Sequence, residues 1–341
     1  MKNHWKIGFA GFLLLLGGAA PLFAQPDLTQ KAGKTIAETG SEQYRFVRFR
    51  RDSDDGERRY QITVGIPRCL PGDAGFPVIY MLDGNAVLAA LNEKMLSAEV
   101  LSTPETDFPV IVAVGYETDL RFDVAARAFD YTPPLPDGSE SLTEKARGRK
   151  SGGADLFAEF LRTKIQPEVE SLVKIDTNRQ TLWGHSYGGL FVLNTMFKHS
   201  EMFQNYFAAD PSLWWENGVL LEMEKSFTEK KKLSLAVAVG YAMEKPARAG
   251  KSPPPNTPPN TAGTEYLPAM RRSVPPDAAK EMTQRLAPLL NISAFRLFEG
   301  LSHGEMFTAS IEPALRFCVH PEAFQTESVG TETSKELSVV R

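Results

Sequence analysis

Hydrophobic and polar residues alternate along an early segment of the chain. Over residues 59–67, apolar side chains occupy every second position, at Tyr60, Ile62, Val64 and Ile66. A period of two predicts a strand with one buried side and one side that faces solvent. Residues 44–51 favour another strand, and the turn-rich residues 52–56 separate the two. The two segments therefore predict an antiparallel hairpin.

The pattern then changes to short apolar runs separated by helical stretches. The runs span residues 76–82, 108–115, 180–184, 206–209 and 233–240, followed by a last strand over 294–298. Such runs are typical of strands that are buried on both faces of a parallel sheet. Crossover helices are expected over residues 85–96, 155–173, 188–198, 276–290 and 305–318. The sequence thus predicts an α/β fold, with a mostly parallel central sheet, helices on both faces and an N-terminal antiparallel hairpin.

Two segments interrupt this alternation, and a polar tail follows it. Residues 117–151 are rich in charge and proline, and we expect a loop over the C-terminal edge of the sheet. Residues 245–275 form a proline-rich insert, in which extended chain is favoured over helix. Long irregular connections are uncommon in compact domains and are often functional. Residues 322–341 are polar, and we expect them to be disordered.

The N-terminus has the organisation of a secretory signal. Lys2 and Lys6 precede an apolar stretch over residues 7–20, and Ala24 is a small residue at the expected site of signal cleavage. We expect removal of residues 1–24, which leaves a single domain over residues 25–321. The mature chain would then work in the periplasm. The alternatives are secretion and an uncleaved N-terminal anchor helix.

Composition narrows the class of protein further. The 341 residues carry 38 basic and 42 acidic side chains, a net charge of −4, so a broad nucleic-acid-binding surface is not expected. Two cysteines, Cys69 and Cys318, are too few for a disulfide framework or a zinc site. In an oxidising compartment they either pair or remain separate thiols, and the sequence leaves both open. We expect a monomer with no membrane span after signal cleavage.

A serine motif provides the first sign of chemistry. Residues 184–189 read Gly-His-Ser-Tyr-Gly-Gly and contain the pattern G-x-S-x-G. The motif lies where a predicted buried strand meets a predicted helix, which is the setting of a nucleophile elbow. Glycine is expected on both sides of the serine, because a Cβ there would collide with the neighbouring strand and helix. We interpret Ser186 as a nucleophile and the Tyr187 N–H as an oxyanion donor. A helix-cap serine is the alternative.

The general base is expected after the last strand. Four histidines follow the signal segment. His185 lies inside the elbow and should point away from the serine, His199 lies at a helix end, and His320 lies near the tail. His303 lies between the last predicted strand and the last predicted helix, so elimination and chain order together select it as the base.

Two parts of the site are less sharply defined. The loop after the strand over residues 76–82 should supply the second oxyanion donor, and the N–H of Gly84 or Asn85 is the candidate. The acid partner of the histidine is either Glu244 or Asp210, which follow two different strands. A Ser–His dyad, with the imidazole oriented by a backbone carbonyl or a water, is the third alternative.

Six motifs in chain order carry a family resemblance. They are YMLDGN (80–85), RAFDYTP (127–133), GGAD (152–155), GHSYGGLF (184–191), PSLWW (211–215) and HGEMF (303–307). Over residues 44–318 the chain resembles the "putative-esterase" family of α/β-hydrolases. Within that family it is most similar to the periplasmic catecholate-siderophore esterases, the salmochelin and ferric enterobactin esterase group.

The resemblance implies an α/β-hydrolase fold and an exported serine esterase that hydrolyses the trilactone of catecholate siderophores. It implies Ser186 as the nucleophile and His303 as the base. A general carboxylesterase, an acyltransferase and a non-catalytic binding protein on a hydrolase scaffold are the alternatives. No metal or organic cofactor is implied, because the iron of a ferric siderophore belongs to the substrate.

The resemblance also implies a substrate-binding surface. Arg127 matches a basic residue near the family's active site, and Trp214 and Trp215 match its aromatic wall. An arginine attracts an anionic ferric tricatecholate, and aromatic faces stack on catechol rings. The alternatives are a salt bridge from Arg127 to Asp123 or Asp130, and core packing of the tryptophans. At position 210, where this chain has aspartate, the family usually has serine.

Overall fold

The computed structural model describes residues 29–228, 230–241, 270, 272–326 and 331–333. Its strands in chain order are β1 (Tyr44–Asp52), β2 (Arg59–Pro67), β3 (Phe76–Leu82), β4 (Val110–Tyr116), β5 (Ile175–His185), β6 (Asn205–Ala209), β7 (Lys230–Tyr241), β8 (Leu290–Glu299) and β9 (Thr331–Thr333). Within the described residues they form a nine-stranded sheet in the order β1-β2-β4-β3-β5-β6-β7-β8-β9. β1 and β4 run antiparallel to β2, and the other pairs are parallel. The hairpin and the mostly parallel sheet are thus confirmed.

Helices cover both faces of this sheet. They are α1 (Ile36–Thr39), α2 (Gly84–Ala90), α3 (Ala98–Leu101), α4 (Val124–Tyr131), α5 (Leu142–Lys145), α6 (Ala154–Phe160), α7 (Gln166–Leu172), α8 (Tyr187–Lys198), α9 (Val219–Glu224), α10 (Ala278–Leu286), α11 (Met306–Ala309), α12 (Ile311–Val319) and α13 (Ala323–Thr326). Neighbouring residues of β3 belong to two separate cores. Tyr80 belongs to the core that contains Leu190 of α8, and Met81 belongs to the core that contains Ile311 of α12. A strand covered on both sides needs no polar face, which is why β3 is apolar throughout.

The second face of β2 is less exposed than the alternation predicts. Thr63 and Gly65 are buried, although their positions were expected to face solvent. In the register of the hairpin, Phe46 lies opposite Gly65, and a Cβ on that glycine would come within 3.0 Å of the Phe46 ring. Arg48 lies opposite Thr63, and its Nε donates a hydrogen bond to Thr63 Oγ1 at 3.4 Å. Long side chains of β1 therefore cover this face.

Four of the five predicted helices are shorter or divided. Residues 155–173 form α6 and α7 with a π-helical segment between them, and the helix expected over residues 276–290 is α10, which ends at Leu286. The helix expected over residues 85–96 ends at Ala90, because the backbone turns extended at Leu91. The Asn92 side chain then accepts a hydrogen bond from the Met95 N–H at 3.1 Å, a local turn that competes with helix. The helix expected over residues 305–318 is divided at Ser310 into α11 and α12.

The segments that interrupt the alternation are only partly loops. Residues 117–151 contain α4 and α5, and their side chains contact residues at the C-terminal ends of β3 and β5. Most of the insert over residues 245–275 lies outside the described residues, as do the signal segment and Glu244. At the end of the insert, the Val274 side chain packs against Gly218, where a Cβ would lie 3.0 Å from Val274 Cγ2.

The start of the polar tail is ordered, which corrects the prediction for this part of residues 322–341. Phe324 in α13 is 8% exposed, and its ring packs edge-on against Phe207 and Phe317 at 6.4 and 5.0 Å. One large aromatic side chain in a polar segment is enough to fix a short helix against the core. β9 also pairs with β8. Residues 327–330 and 334–341 lie outside the described part of the chain.

The two cysteines do not form a disulfide in this structure. The thiol of Cys69 donates to the Glu105 carbonyl at 2.9 Å. Cys318 is buried in α12, and burial raises the pKa of its thiol to about 12. Among the described residues there is no helix with the length and apolar character needed to cross a bilayer.

Candidate active site

The candidate residues follow the carboxyl ends of neighbouring strands. Asp83 follows β3, Ser186 follows β5, Asp210 follows β6, and His303 lies four residues beyond the end of β8. β3, β5 and β6 are adjacent in the sheet, and β7 and β8 follow them. In an open parallel sheet these ends form the edge at which ligands bind. Segments far apart in sequence are thereby collected at one place.

Ser186 occupies a sharp turn between β5 and α8. Its backbone has φ 61° and ψ −114°, a conformation that costs a non-glycine residue about 1–3 kcal/mol. The Ser186 N–H donates to the Ala209 carbonyl at 2.9 Å, which fastens the turn to the end of β6. The turn has the strained geometry of a nucleophile elbow.

The glycines around this turn are not equally constrained. A Cβ on Gly184 would lie 2.5 Å from the Gly188 carbonyl, and a Cβ on Gly189 would lie 3.0 Å from the Ala209 carbonyl oxygen. A Cβ on Gly188 would make only an ordinary contact, 3.6 Å from Leu82. The steric requirement therefore falls on Gly184 and Gly189, whereas the sequence interpretation placed it on the two glycines of G-x-S-x-G.

Three of the predicted residues form a hydrogen-bonded chain. His303 Nε2 lies 3.0 Å from Ser186 Oγ, and His303 Nδ1 lies 3.0 Å from Asp210 Oδ2. The side chains of His303 and Asp210 are 40% and 18% exposed, so both border the solvent. Asp210 has a left-handed backbone with φ 41°, and its N–H donates to the Ala238 carbonyl at 2.6 Å. The structure thus brings one of the two acid candidates onto the histidine, and the other, Glu244, lies outside the described residues.

The chemistry of the donors and acceptors determines where the hydrogens lie along the hydrogen bonds from Ser186 to His303 and Asp210. An ionised carboxylate only accepts, so Nδ1 of His303 carries the hydrogen that faces Asp210. The Nε2 atom of a neutral imidazole is then an acceptor, and the Ser186 hydroxyl donates to it. This is the arrangement in which a histidine removes the proton of a serine nucleophile.

His185 points away from Ser186, as its place in the elbow predicts. Its Nε2 lies 2.8 Å from the backbone oxygen of His303, and a carbonyl oxygen only accepts, so Nε2 is the donor. Burial, and then the neighbouring His303 ring, hold the pKa of His185 well below its usual value. A neutral His185 therefore ties the elbow to the loop that carries His303.

A metal site is a less suitable interpretation of the same side chains. His185, Asp210 and His303 each place a potential ligand atom within 4.8 Å of the others. However, Nε2 of His185 is bonded to the His303 carbonyl, and Nε2 of His303 is bonded to Ser186. Nδ1 of His303 also contacts Asp210, so both ring nitrogens of His303 and Nε2 of His185 are already engaged in hydrogen bonds.

The candidate oxyanion donors lie at two helix starts. Gly84 and Asn85 begin α2, Tyr187 begins α8, and the first N–H groups of a helix have no intrahelical acceptor. A Cβ on Gly188 would lie 3.8 Å from Asp83 Oδ2, so the two helix starts are neighbours. A Cβ on Gly84 would lie 2.6 Å from the backbone of β4, so glycine is required there.

The Asn85 side chain has a separate role. Its Nδ2 donates to the carbonyls of Tyr116, Thr118 and Leu120 at 3.0, 2.9 and 3.2 Å, and its Oδ1 accepts from the Tyr116 N–H at 3.0 Å. The side chain thus holds residues 116–120 in place. Only the backbone N–H of Asn85 remains for an oxyanion.

Arg127 has a partner that the sequence interpretation missed. Its Nε and Nη2 donate to the two carboxylate oxygens of Asp83 at 2.9 and 3.0 Å, so neither Asp123 nor Asp130 is its partner. Nη2 also lies 3.4 Å from the His185 carbonyl. Burial disfavours the charged guanidinium, but the Asp83 carboxylate outweighs this effect and raises the pKa of Arg127. With 13% of its side chain exposed, Arg127 links the turn before α2 to the elbow.

The same helix fixes Asp83 from a second side. Asp83 has a left-handed backbone with φ 54°, and its N–H donates to the Tyr131 hydroxyl at 3.1 Å. Arg127 and Tyr131 are one turn apart on α4, so both can reach Asp83. Arg127 binds the Asp83 carboxylate, and the Tyr131 hydroxyl binds the Asp83 N–H. The R-x-x-D-Y element therefore positions the turn that precedes Gly84.

We expect Arg127→Ala to lower the free energy of unfolding by about 3–5 kcal/mol, because Asp83 is buried and would lose its charged partner. Urea denaturation of the purified variant measures this change. Arg162→Ala removes an exposed ion pair with Glu159 and should leave the unfolding midpoint unchanged. A variant that unfolds like wild type and shows only a raised KM would instead assign Arg127 to substrate binding.

The two tryptophans occupy different environments. Trp215 is fully buried, in the same core as Tyr80 and Leu190. Trp214 is half-buried, and its ring centroid lies 6.2 Å from that of Tyr187, the residue after Ser186. Trp214 is therefore placed beside the elbow, as an aromatic wall requires, whereas Trp215 packs inside.

A buried carboxylate joins the loop over residues 117–151 to the elbow. The Tyr187 hydroxyl donates to Glu144 Oε1 at 2.6 Å, and burial, followed by the Glu144 charge, raises the pKa of that phenol. Arg149 Nε donates to Glu144 Oε2 at 2.7 Å, and Arg147 donates to the Tyr187 oxygen at 3.0 Å. Two arginines thus share one carboxylate. In sequence, nothing distinguishes Glu144 from the exposed Glu140 nearby.

Residues 53–245 match the family described as "Putative esterase". The apo-salmochelin esterase of Escherichia coli O6:H1 is 43% identical over 212 residues, which span 62% of this chain and 65% of that protein. The ferri-bacillibactin esterase BesA of Bacillus subtilis is 32% identical over 278 residues, which span 79% of this chain and 88% of that protein.

A solved structure gives the same result at the level of fold. The enterobactin hydrolase IroE in complex with DFP superposes with a TM-score of 0.62 at 33% identity, over 83% of this chain and 98% of that chain. The expected α/β-hydrolase fold is confirmed. The family match covers more than half of the chain, and it includes Ser186 and Asp210. The chain therefore belongs to the "Putative esterase" family of α/β-hydrolases.

Proposed function

We propose that this chain is an exported serine esterase that hydrolyses the ester bonds of catecholate siderophores through an acyl-enzyme. The observation that carries the proposal is the chain of hydrogen bonds from Ser186 through His303 to Asp210 at the carboxyl edge of the sheet. The relatives support this choice of substrate, because they are named as esterases or hydrolases of apo-salmochelin, ferri-bacillibactin and enterobactin.

The acylation step follows from the geometry. Ser186 Oγ attacks the ester carbonyl while its proton passes to His303 Nε2, 3.0 Å away. The Asp210 carboxylate stabilises the imidazolium that forms. The backbone N–H groups of Tyr187 and of Asn85 or Gly84 hold the oxyanion, and one such donor is typically worth about 2.7–4 kcal/mol. The imidazolium then gives its proton to the leaving alcohol.

Water completes the reaction. His303 Nε2 takes a proton from water as the water oxygen attacks the acyl carbon. The bond from that carbon to Ser186 Oγ then breaks, and the proton on His303 passes to Oγ. The products are a carboxylic acid and the free serine. No metal or organic cofactor takes part, and an iron ion would enter and leave with the substrate.

The surroundings of the elbow support an anionic aromatic substrate. Trp214 is half-buried and lies beside the buried ring of Tyr187, so it offers aromatic surface next to Ser186. Arg147 and Arg149 both pair with Glu144 next to the Tyr187 hydroxyl, so two guanidinium groups lie near this surface. A ferric tricatecholate is anionic and aromatic, so stacking and charge attraction both favour it. Arg127 contributes by holding the oxyanion turn, and the buried Trp215 supports the wall from within.

Export belongs to the same proposal. Residues 1–24 have the sequence of a secretory signal and lie outside the described residues. We infer a periplasmic enzyme, with secretion and N-terminal anchoring as the alternatives. We further infer that it acts as a monomer on a small-molecule ester.

We expect the purified mature chain to hydrolyse the enterobactin trilactone with a kcat/KM about 100-fold or more above that for p-nitrophenyl butyrate. The reason is that aromatic and charged contacts away from the ester add binding energy that the transition state can use. Chromatographic detection of the linear products measures trilactone opening, and Ser186→Ala is the control for background hydrolysis.

The comparison also separates the alternatives. Preference for the small ester would remove the siderophore assignment and leave a general carboxylesterase. Transfer of the acyl group to an added alcohol in place of water would identify an acyltransferase. Absence of turnover and of fluorophosphonate labelling would leave a binding protein.

A further inference from the structure

Ser212 contacts the proposed nucleophile with two different groups. It lies in the P-S-L-W-W motif, two residues after Asp210, and is only 1% exposed. Its N–H donates to the Ser186 carbonyl at 3.1 Å, and its Oγ lies 3.2 Å from Ser186 Oγ. The backbone contact shapes the turn, but the hydroxyl contact reaches the atom that is proposed to react.

The direction of the hydroxyl contact follows from counting hydrogens. Ser186 has a single hydroxyl hydrogen, which it donates to His303 Nε2, because Nδ1 carries the imidazole hydrogen toward Asp210. Ser186 Oγ therefore offers only lone pairs to its other neighbour. Ser212 must be the donor in the 3.2 Å contact.

We propose that Ser212 is a catalytic residue that donates a hydrogen bond to Ser186 Oγ and stabilises this oxygen as the leaving group when the acyl-enzyme breaks down. The inference rests on the proposed function. It adds a fourth side chain to the Ser186–His303–Asp210 chain, on the side of Ser186 that the imidazole does not occupy.

The hydrogen bond should matter more in deacylation than in acylation. In the free enzyme, Ser186 Oγ is a hydroxyl oxygen that already accepts from Ser212, so the bond exists before attack. In the acyl-enzyme the same atom is an ester oxygen, which is a weak acceptor. When the bond from the acyl carbon to Oγ breaks, the electron pair moves to Oγ and the proton of His303 follows. A donor aimed at Oγ gains strength as this charge develops.

Ser212→Ala is a clean test, because it removes the hydroxyl and keeps the N–H that bonds the Ser186 carbonyl. Hydrogen bonds to a charged group contribute about 10- to 100-fold when converted to rates, so the deacylation rate constant should fall by about that factor. The acylation rate constant should change by about threefold or less, since the bond is present at the start. Stopped-flow hydrolysis of p-nitrophenyl acetate resolves the two constants. The variant should show a burst of one p-nitrophenol per active site, followed by a slower steady state.

The controls separate chemistry from folding. Fluorophosphonate labelling of Ser186 counts the active sites in each preparation. Ser234→Ala removes another buried serine hydroxyl, near the amino end of β7 and the opposite edge of the sheet, and should keep both rate constants. Ser212→Thr retains a hydroxyl donor and should recover deacylation relative to Ser212→Ala.

Two results would overturn the inference. One is a Ser212→Ala variant whose labelled sites show unchanged deacylation. The other is an equal fall in acylation and deacylation together with a lower melting temperature, which indicates a structural role. In both cases wild type is still labelled and active, so the proposed function stands. If wild type itself resists labelling, the proposed function and this inference fail together.

Discussion

Replacement of Ser186 or of His303 by alanine is expected to lower kcat by about 10⁴- to 10⁶-fold, the largest effect of any single change in this chain. Each variant removes one end of the 3.0 Å contact through which the serine proton leaves. The two losses should not add, because the residues act as one unit. The double variant should therefore be about as active as the worse single variant.

Trilactone hydrolysis at saturating substrate measures these losses, and melting temperatures show whether each variant folds. His320→Ala is the matched control. This ring bonds to the Ser102 carbonyl and to Glu322 and lies outside the candidate site, so near-full activity is expected. General-base catalysis typically contributes about 10²- to 10⁴-fold to the rate. If His303→Ala keeps more than about one percent of wild-type kcat, the loss is smaller than this range, and another group must remove the serine proton.

Most of the fold was predictable from the sequence, because burial on two faces leaves a simple signature. Val78 to Leu82 lie between two cores, and no position in this stretch faces solvent. The failures occur where a single side chain decides the local structure. Asn92 ends a helix early by accepting a backbone hydrogen bond, and Phe324 fixes a helix in a polar tail. Neither effect changes the hydrophobic pattern, so the pattern did not reveal it.

The candidate site was predictable only in part, for a similar reason. Ser186 and His303 were found because the fold dictates their order along the chain and the elbow has its own motif. Asp83 and Arg127 are 44 residues apart, and Tyr187 and Glu144 are 43 apart. Pairs of this kind depend on how the loop over residues 117–151 lies on the sheet, and spacing in sequence does not encode that. Ser212 was missed because a serine three residues after the end of a strand is unremarkable in sequence.

The structure also changes how the R-x-x-D-Y element is understood. By resemblance, Arg127 belongs to the substrate-binding surface. In the structure its guanidinium reaches both Asp83 and the His185 carbonyl, so it joins the oxyanion turn to the elbow. The two proposed oxyanion donors come from these two segments. A small shift between them would misplace a donor by more than hydrogen-bond geometry tolerates, so we expect the ion pair to support the proposed catalysis by fixing the positions of the donors.

Asp210→Asn is expected to lower kcat by about 10⁴-fold, the second large effect. Asparagine keeps the shape of the side chain but turns an N–H toward His303 Nδ1, or presents a weaker neutral acceptor. In the first case the imidazole hydrogen moves to Nε2, which then cannot accept the Ser186 proton. In the second, the imidazolium formed during attack loses its counter-charge. Both changes act through the 3.0 Å contact between Nδ1 and Oδ2.

Two further variants decide the identity of the acid. Glu244→Ala removes the other candidate and should keep near-full activity. Asp210→Ser introduces the residue that the family usually has at this position, and it should retain more activity than Asp210→Asn, because a hydroxyl accepts from Nδ1 without forcing the wrong tautomer. Loss of activity in Glu244→Ala with full activity in Asp210→Asn would transfer the role to Glu244. Near-full activity in both would establish a Ser–His dyad, with the Asp210 contact as a structural bond.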